Sequence, residues 1–158
     1  MKNVFIAIGS NKGDRERNII KSLKEIKKIA EIKKISSFYV NEPVNADGGY
    51  FLNGVIEIRT KLNPFQLLKK LKEIEKKIGR KFPHKRGDER EIDLDIIFYG
   101  KEILKTKKLE IPHKEFKNRE FVLKGLLEIA QDFIAPEINK SVKEIYKELK
   151  NENVEKDR

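Results

Sequence analysis

The segment "REIDLDIIFYG", Arg90 to Gly100, sets two aspartates, Asp93 and Asp95, at alternate positions of an otherwise apolar run. Read as a β-strand, it puts Ile92, Leu94, Ile96 and Phe98 on one face and both carboxylates on the other, their Cβ atoms about 7 Å apart. Like charges at that spacing disfavour each other's ionised form unless a cation joins them. Hard oxygen ligands so placed suit Mg²⁺, which binds through one or two carboxylates and completes its shell with water and substrate phosphates. A D-x-D pair also serves elsewhere as a charged guard on a sheet edge. Here the apolar opposite face predicts an interior strand instead, and cations crowd both flanks.

Those cations are the second element of the chemistry. Arg80, Lys81, Lys85, Arg86 and Arg90 precede the aspartates, and His113, Lys117 and Arg119 follow them. A guanidinium offers a planar fork to phosphate oxygens, and a loop can deliver it once a nucleotide has bound. The set resembles a triphosphate site without a P-loop, because "GSNKG" lacks the lysine and hydroxyl spacing of a Walker A motif and reads as a βα turn. The third element is Phe51 with Asn53 in "FLNGVIEIRT", on the strand face opposite Leu52 and Ile56. An aromatic plate beside an amide suits a flat heterocycle, which stacks on the ring and pairs its polar edge with the amide. Phe121 in "NREFVL" is the candidate for the opposite plate.

The elements that must position these groups follow from periodicity and caps. "NVFIAIGS" predicts a strand, and Asp14 is the N-cap of a helix with Ile19, Leu23, Ile26 and Ala30 as its stripe. "EIKKISSFYV" predicts a second strand, "NEPVNADGGY" a loop, and "FLNGVIEIRT" a third strand. Asn63-Pro64 opens a helix with Leu67, Leu71, Ile74 and Ile78 as its stripe, ending at Gly79, and the basic segment "RKFPHKRGDER" leads into the aspartate strand. The order β-α-β-β-α-β predicts an α+β fold, a ferredoxin-like split βαβ antiparallel sheet with helices on one face and the other left for function. The remainder, including the amphipathic "SVKEIYKELK", makes C-terminal additions of an irregular connection and helices.

The 158 residues suit one domain with a substantial core, and no Pro/Gly/Ser-rich linker divides them. With no cysteine, disulfides and Cys-ligated zinc are excluded, and the short apolar run in "MKNVFIAIGSN" does not suit a signal peptide or membrane helix, so a cytoplasmic protein is expected. Net charge +10 with 39% charged residues suits anionic substrates, nucleic acid or a membrane surface, but many lysines sit in Lys/Glu helices such as "LLKKLKEIEKKIGRK", as solvated faces do. The Lys, Glu and Ile richness is thermophile-like in composition.

"IAIGSN", "SSFY", "FLNGVIEI", "IGR", "REIDLDIIFYG", "IPH" and "NREFVLKGLLEIA", in this order from Val4 to about Pro136, resemble the 6-hydroxymethyl-7,8-dihydropterin pyrophosphokinases of folate biosynthesis. "R-x-x-D-L-D" followed by "PH" and "NR-x-F" is the specific part. The resemblance implies a single pyrophosphokinase domain over residues 1–158, with ATP as co-substrate and two Mg²⁺, transferring a diphosphate to the pterin and releasing AMP. Carried onto matching positions, it implies that Asp93 and Asp95 hold both metals. Phe51 and Phe121 would sandwich the pterin, Asn53 would meet its edge, and the backbone around Asn41, Pro43 and Val44 would close the pocket. Arg80, Arg90, His113 and Arg119 would contact the triphosphate, Ile96 would offer its backbone to adenine, and Glu75 would face the nucleotide.

The chain departs from the family pattern at Gly87, Asp88 and Glu89, where a tryptophan and Gly-Pro are usual, and at Phe82, where an arginine is common. Asn41 and Glu42 stand at the start of a pterin loop that often reads Thr-Pro-Pro, and Phe51 stands where tyrosine is frequent. Small-molecule substrates, no nucleic-acid or membrane partner, and a monomer are expected. The alternatives are an RNA-binding ferredoxin-like module, which the acidic sheet face disfavours, and a Mg²⁺-dependent nucleotidyltransferase, which would release diphosphate rather than AMP.

Overall fold

The computed structural model describes residues 1–41, 50–79 and 90–156. The N-terminal run forms β1 (Lys2–Ser10), buried continuously from Val4 onward, as a strand covered on both faces must be. The Asp14 carboxylate accepts from the Arg17 N–H and starts α1 (Arg15–Ile26), whose Ile19 and Ile26 are buried. β2 (Glu31–Ile35), β3 (Tyr39–Asn41) and β4 (Phe51–Thr60) precede α2 (Pro64–Ile78). The cap of α2 is reciprocal: Asn63 accepts from the Gln66 N–H and the Gln66 side chain from the Asn63 N–H, each at 2.9 Å. Then come β5 (Asp93–Tyr99), β6 (Leu104–Lys105), β7 (Glu110–Ile111), a 3-10 turn (Phe116–Asn118), α3 (Glu120–Ala130), β8 (Ile134–Ala135), β9 (Lys140–Ser141) and α4 (Val142–Lys156). No described helix is long and apolar enough to cross a membrane.

The main sheet has the order β2-β4-β1-β5, all neighbours antiparallel, with β3 also paired to β4. Four features differ from the sequence expectation. The strand predicted over residues 31–40 breaks between β2 and β3. At the break Ser36 is buried, its Oγ accepting from the Val55 N–H at 2.8 Å. Glu128 of α3 accepts from the Ser37 N–H, the Ser37 hydroxyl and the Tyr39 hydroxyl. These side-chain bonds hold the break beside the one backbone bond that remains there, from the Ser36 N–H to the Val55 carbonyl at 2.9 Å, and period-2 reasoning does not register them.

The aspartate strand β5 lies at the sheet edge rather than in its interior. Its apolar composition survives there because the edge is covered: the buried Glu75 accepts from the Leu94 N–H at 2.8 Å, and the His113 N–H donates to the Ile97 carbonyl at 3.0 Å. The third difference is a register shift between Phe5 and Ile6, where Ile6 pairs with Ile96 and Phe5 with Phe98. The extra residue, Ile97, is a β-bulge that turns Phe98 away from Ile92, Leu94 and Ile96.

The fourth difference follows from the bulge. On one face, Ile6, Ile8, Ile56, Ile58, Leu94 and Ile96 pack with α1 and α2. On the other, Phe5, Val55, Ile97 and Phe98 pack with Val122, Leu123 and Leu126 of α3 and Val142 and Ile145 of α4. The helices therefore do not all lie on one face, and only part of the second face stays open. Phe98 is fully buried, edge-on to Phe5 and Phe116 with centroids 6.0 and 4.9 Å away, and burial of a side chain that size is worth about 1.5–3 kcal/mol. α3 crosses β4 at Gly125, where a Cβ would lie 2.6 Å from Val55 Cγ2. Gly125→Ala would gain about 1 kcal/mol of helix propensity but incur about 1–3 kcal/mol of overpacking against a buried β-branched residue. Net destabilisation is expected, read as a lower denaturant midpoint in equilibrium unfolding; an unchanged or higher midpoint would contradict the close crossing.

Candidate active site

The open part of the second sheet face is defined by register. Gly9 of β1 pairs with Asn53 of β4 on one side and Asp93 of β5 on the other; one step along, Ala7 pairs with Val55 and Asp95. Residues directly opposite share a face, so Asn53, Gly9 and Asp93 form a row, with Cα atoms of the outer two about 10 Å apart. A Cβ at Gly9 would sit 2.5 Å from Asn53 Oδ1, so glycine is what lets the buried Asn53 amide lie over β1. The surface runs from Phe51 and Asn53, across a strand bearing Gly9 and Ala7, to the two aspartates.

Each aspartate faces a guanidinium. Arg90 Nη1 donates to Asp93 Oδ2 at 3.1 Å, and Arg119 Nη1 lies 3.7 Å from Asp95 Oδ2. These four side chains are 19–37% exposed, where an ion pair is worth about 1 kcal/mol or less, too little to hold an arginine against a polyphosphate. Arg90 is fixed through its backbone: its N–H donates to Asn11 Oδ1 at 2.6 Å, and its carbonyl accepts from the Asn11 N–H at 3.0 Å. Arg119 immediately precedes α3, placing Phe121 in that helix's first turn, half-buried against the second core.

A pocket of about 380 Å³ brings together Glu75, Arg90, Asp93, Asp95, Ile96, His113 and Arg119. Its lining holds six lysines and arginines against four carboxylates, an excess that favours an anion. His113 Nδ1 accepts from the Glu115 N–H at 3.1 Å, so the neutral ring carries its proton on Nε2. Burial, then the Arg119 charge, pushes the His113 pKa down, and nearby Asp93 opposes this. The carboxylate of Glu75, which is 2% exposed, holds the Leu94 N–H.

Not every candidate residue falls in this pocket. Phe51, Asn53 and Asn41 lie on the β4 side of the Gly9 row, Asn41 pairing with Phe51 across β3 and β4. Asn41 Nδ2 and Arg90 Nε are buried with no hydrogen-bond partner among the described residues. Arg80, Pro43, Val44, Phe82 and Gly87 to Glu89 lie outside the described residues. Sequence reasoning missed Asn11, the backbone clamp on Arg90, and the pocket lysines Lys72, Lys107, Lys108 and Lys114. The signal for Asn11 was a polar residue just after a buried strand; the lysines looked like any solvated helix or loop cation.

The antiparallel sheet, its small-residue row and the carboxylate pair among cations define an α+β protein with a cation-rich cleft on its sheet. The chain belongs to the 7,8-dihydro-6-hydroxymethylpterin-pyrophosphokinase (HPPK) family, whose profile matches residues 5–131. It is 40% identical over 145 residues to the 2-amino-4-hydroxy-6-hydroxymethyldihydropteridine pyrophosphokinase of Aquifex aeolicus, covering 91% of this chain and 90% of that one. The Haemophilus influenzae protein of the same name is 39% identical, covering 86% of each chain. Among solved structures, an HPPK-DHPS in complex with substrates superposes with a TM-score of 0.74 at 15% identity, over 98% of this chain and 44% of that one. Plasmodium falciparum HPPK-DHPS gives 0.73 over 93% of this chain and 44% of its own. At such identities these two likenesses concern the fold.

The His113 environment has a measurable consequence. Its ordinary value is 6.5, so with a lowered folded value the unfolded chain binds more protons in the interval below 6.5. The contribution of His113 to stability therefore rises with pH through that interval and levels off above it. A ¹H–¹³C NMR titration of the ligand-free protein, with His84→Gln to separate the second histidine, should give His113 a midpoint below 6.5. A midpoint at or above that value would contradict the burial and the influence of the Arg119 charge.

Proposed function

We propose that this chain transfers the β,γ-diphosphate of ATP to the hydroxymethyl oxygen of 6-hydroxymethyl-7,8-dihydropterin, giving the pterin diphosphate and AMP in folate biosynthesis. Family membership supports the reaction. The observation that carries the reading is the row Asn53–Gly9–Asp93, which sets a heterocycle-binding surface beside a phosphate-binding one on a single sheet. The strand order with all-antiparallel pairing supports naming the sheet a ferredoxin-like split βαβ, as one pyrophosphokinase domain over residues 1–158. The same reading takes the protein as a cytoplasmic monomer acting on small molecules.

Phe51 and Phe121 form the two plates for the pterin, and Asn53 meets its donor–acceptor edge. The buried Asn41 Nδ2 gains a partner when that edge arrives. Arg90 and Arg119 give their forks to phosphate oxygens, and the neutral His113 donates from Nε2 to another. Arg80 adds charge, Ile96 offers its backbone to adenine, and Glu75 keeps β5 in register beneath the nucleotide.

The donor set fits Mg²⁺: two carboxylates share a face of β5, and water and substrate phosphates would complete the shell. Asp93 and Asp95 would hold two such ions. Mg²⁺ held there supplies charge neutralisation of the transferring phosphates and acidification of the hydroxyl. An RNA-binding role is disfavoured because α3 and α4 cover much of the sheet face it needs and two carboxylates stand at one end of the open part.

Phosphorus NMR of the protein with ATP, Mg²⁺ and the hydroxymethyl dihydropterin should show AMP and a pterin diphosphate; ADP or free diphosphate would overturn the reading. Asp95→Ala should lower turnover by about 10²-fold or more through lost charge stabilisation. Near-normal activity in that variant would refute the metal assignment. Arg90→Ala should lower kcat more than it raises the KM for ATP.

A further inference from the structure

Arg15, the first residue of α1, spends every guanidinium nitrogen away from its own helix. Nε donates to the Tyr50 carbonyl at 2.7 Å, Nη2 to the Asn11 carbonyl at 3.0 Å and Nη1 to the Gly13 carbonyl at 3.2 Å. The guanidinium also lies 4.2 Å from the centroid of the Tyr50 ring, whose residue is 46% exposed. A cation in the first turn of a helix is opposed by the helix dipole, so helix stability does not account for arginine at this position. Its contacts do: Tyr50 immediately precedes Phe51 at the start of β4, and Asn11 holds the backbone of Arg90 just before β5. One side chain thus ties the start of the aromatic strand to the turn that fixes the cation facing Asp93.

We infer that Arg15 is a positioning residue for the pterin half of the site: by clamping Tyr50 to the Asn11–Gly13 turn it fixes where Phe51 stands relative to Arg90 and Asp93. This inference rests on the pyrophosphokinase reading. The clamp needs a planar fork with several donors, which a lysine ammonium on one flexible stem does not reproduce. Arg15 and Tyr50 lie outside both apolar clusters, so removing the clamp displaces the plate without opening a core.

Steady-state kinetics with thermal melts tests it. Arg15→Ala should raise the KM for the pterin about 10-fold, the equivalent of one to two lost hydrogen bonds, while leaving the KM for ATP within about twofold and the Tm within a few degrees. Arg15→Lys, which keeps charge, should fall between wild type and Ala and serves as the readout if the Ala variant melts early. In a Phe51→Ala background, Arg15→Ala should add less than about twofold, because the plate it positions is gone. An unchanged pterin KM, parallel rises in both KM values, or the full effect persisting without Phe51 would each overturn the assignment. Absence of AMP release by the wild type would overturn the pyrophosphokinase reading and this inference with it; AMP release with wild-type kinetics in Arg15→Ala overturns this inference alone.

Discussion

Asp93 and Asp95 stand two residues apart on one face of β5, and their mutual repulsion is the constraint to which the surrounding structure answers. Each carboxylate faces a guanidinium, Arg90 or Arg119, at a partly exposed position where the pair is weak. Weakness is useful: an arginine bound firmly to an aspartate would not be available to a phosphate. The buried Glu75, by contrast, takes a backbone N–H and has a fixed structural task. Three of the pocket's four carboxylates are thus separated in role by burial and by the kind of donor each meets.

The strand carrying the pair must be rigid and yet lie at the sheet edge, where a pocket can reach it. Both demands are met by covering the edge with Glu75 and the His113 N–H, and by the bulge at Ile97. The bulge lets β5 serve two cores in turn: Leu94 and Ile96, with Ile92 just before the strand, anchor it to α1 and α2, and Phe98 anchors it to α3 and α4. The second anchor brings α3 close enough for Gly125 to meet Val55, and Arg119, just before that helix, lines the pocket. Apolar packing beside the pocket thereby bears on which charges reach the carboxylates.

Much of this was legible in the sequence. The caps at Asp14 and Asn63, the apolar stripe of α2, the placing of α1 and α2 between strands and the aspartate face of β5 follow from local rules that tertiary contacts reinforce, whereas Ala30, expected on the first helix, lies beyond the end of α1. What local rules missed depends on contacts distant in sequence. Strict alternation placed Phe98 with Ile96, because a bulge is set by the partner strand and not by the strand's own pattern. An edge strand looked interior because its cover comes from α2 and from the segment at His113. The sheet face expected to be open was mostly covered, since an apolar helix segment such as α3 shows that the helix packs but not on what. Asn11 and Gly9, which fix Arg90 and accommodate Asn53, sat in a segment that read only as a turn.

The claim that these carboxylates recruit metal with the nucleotide is tested most directly by calorimetry with a non-hydrolysable ATP analogue, comparing binding with and without Mg²⁺ in wild type and in the isosteric Asp93→Asn. The account predicts that Mg²⁺ tightens analogue binding by about 10-fold or more in the wild type and by less than about twofold in the variant. Equal Mg²⁺ dependence in the two proteins would contradict it.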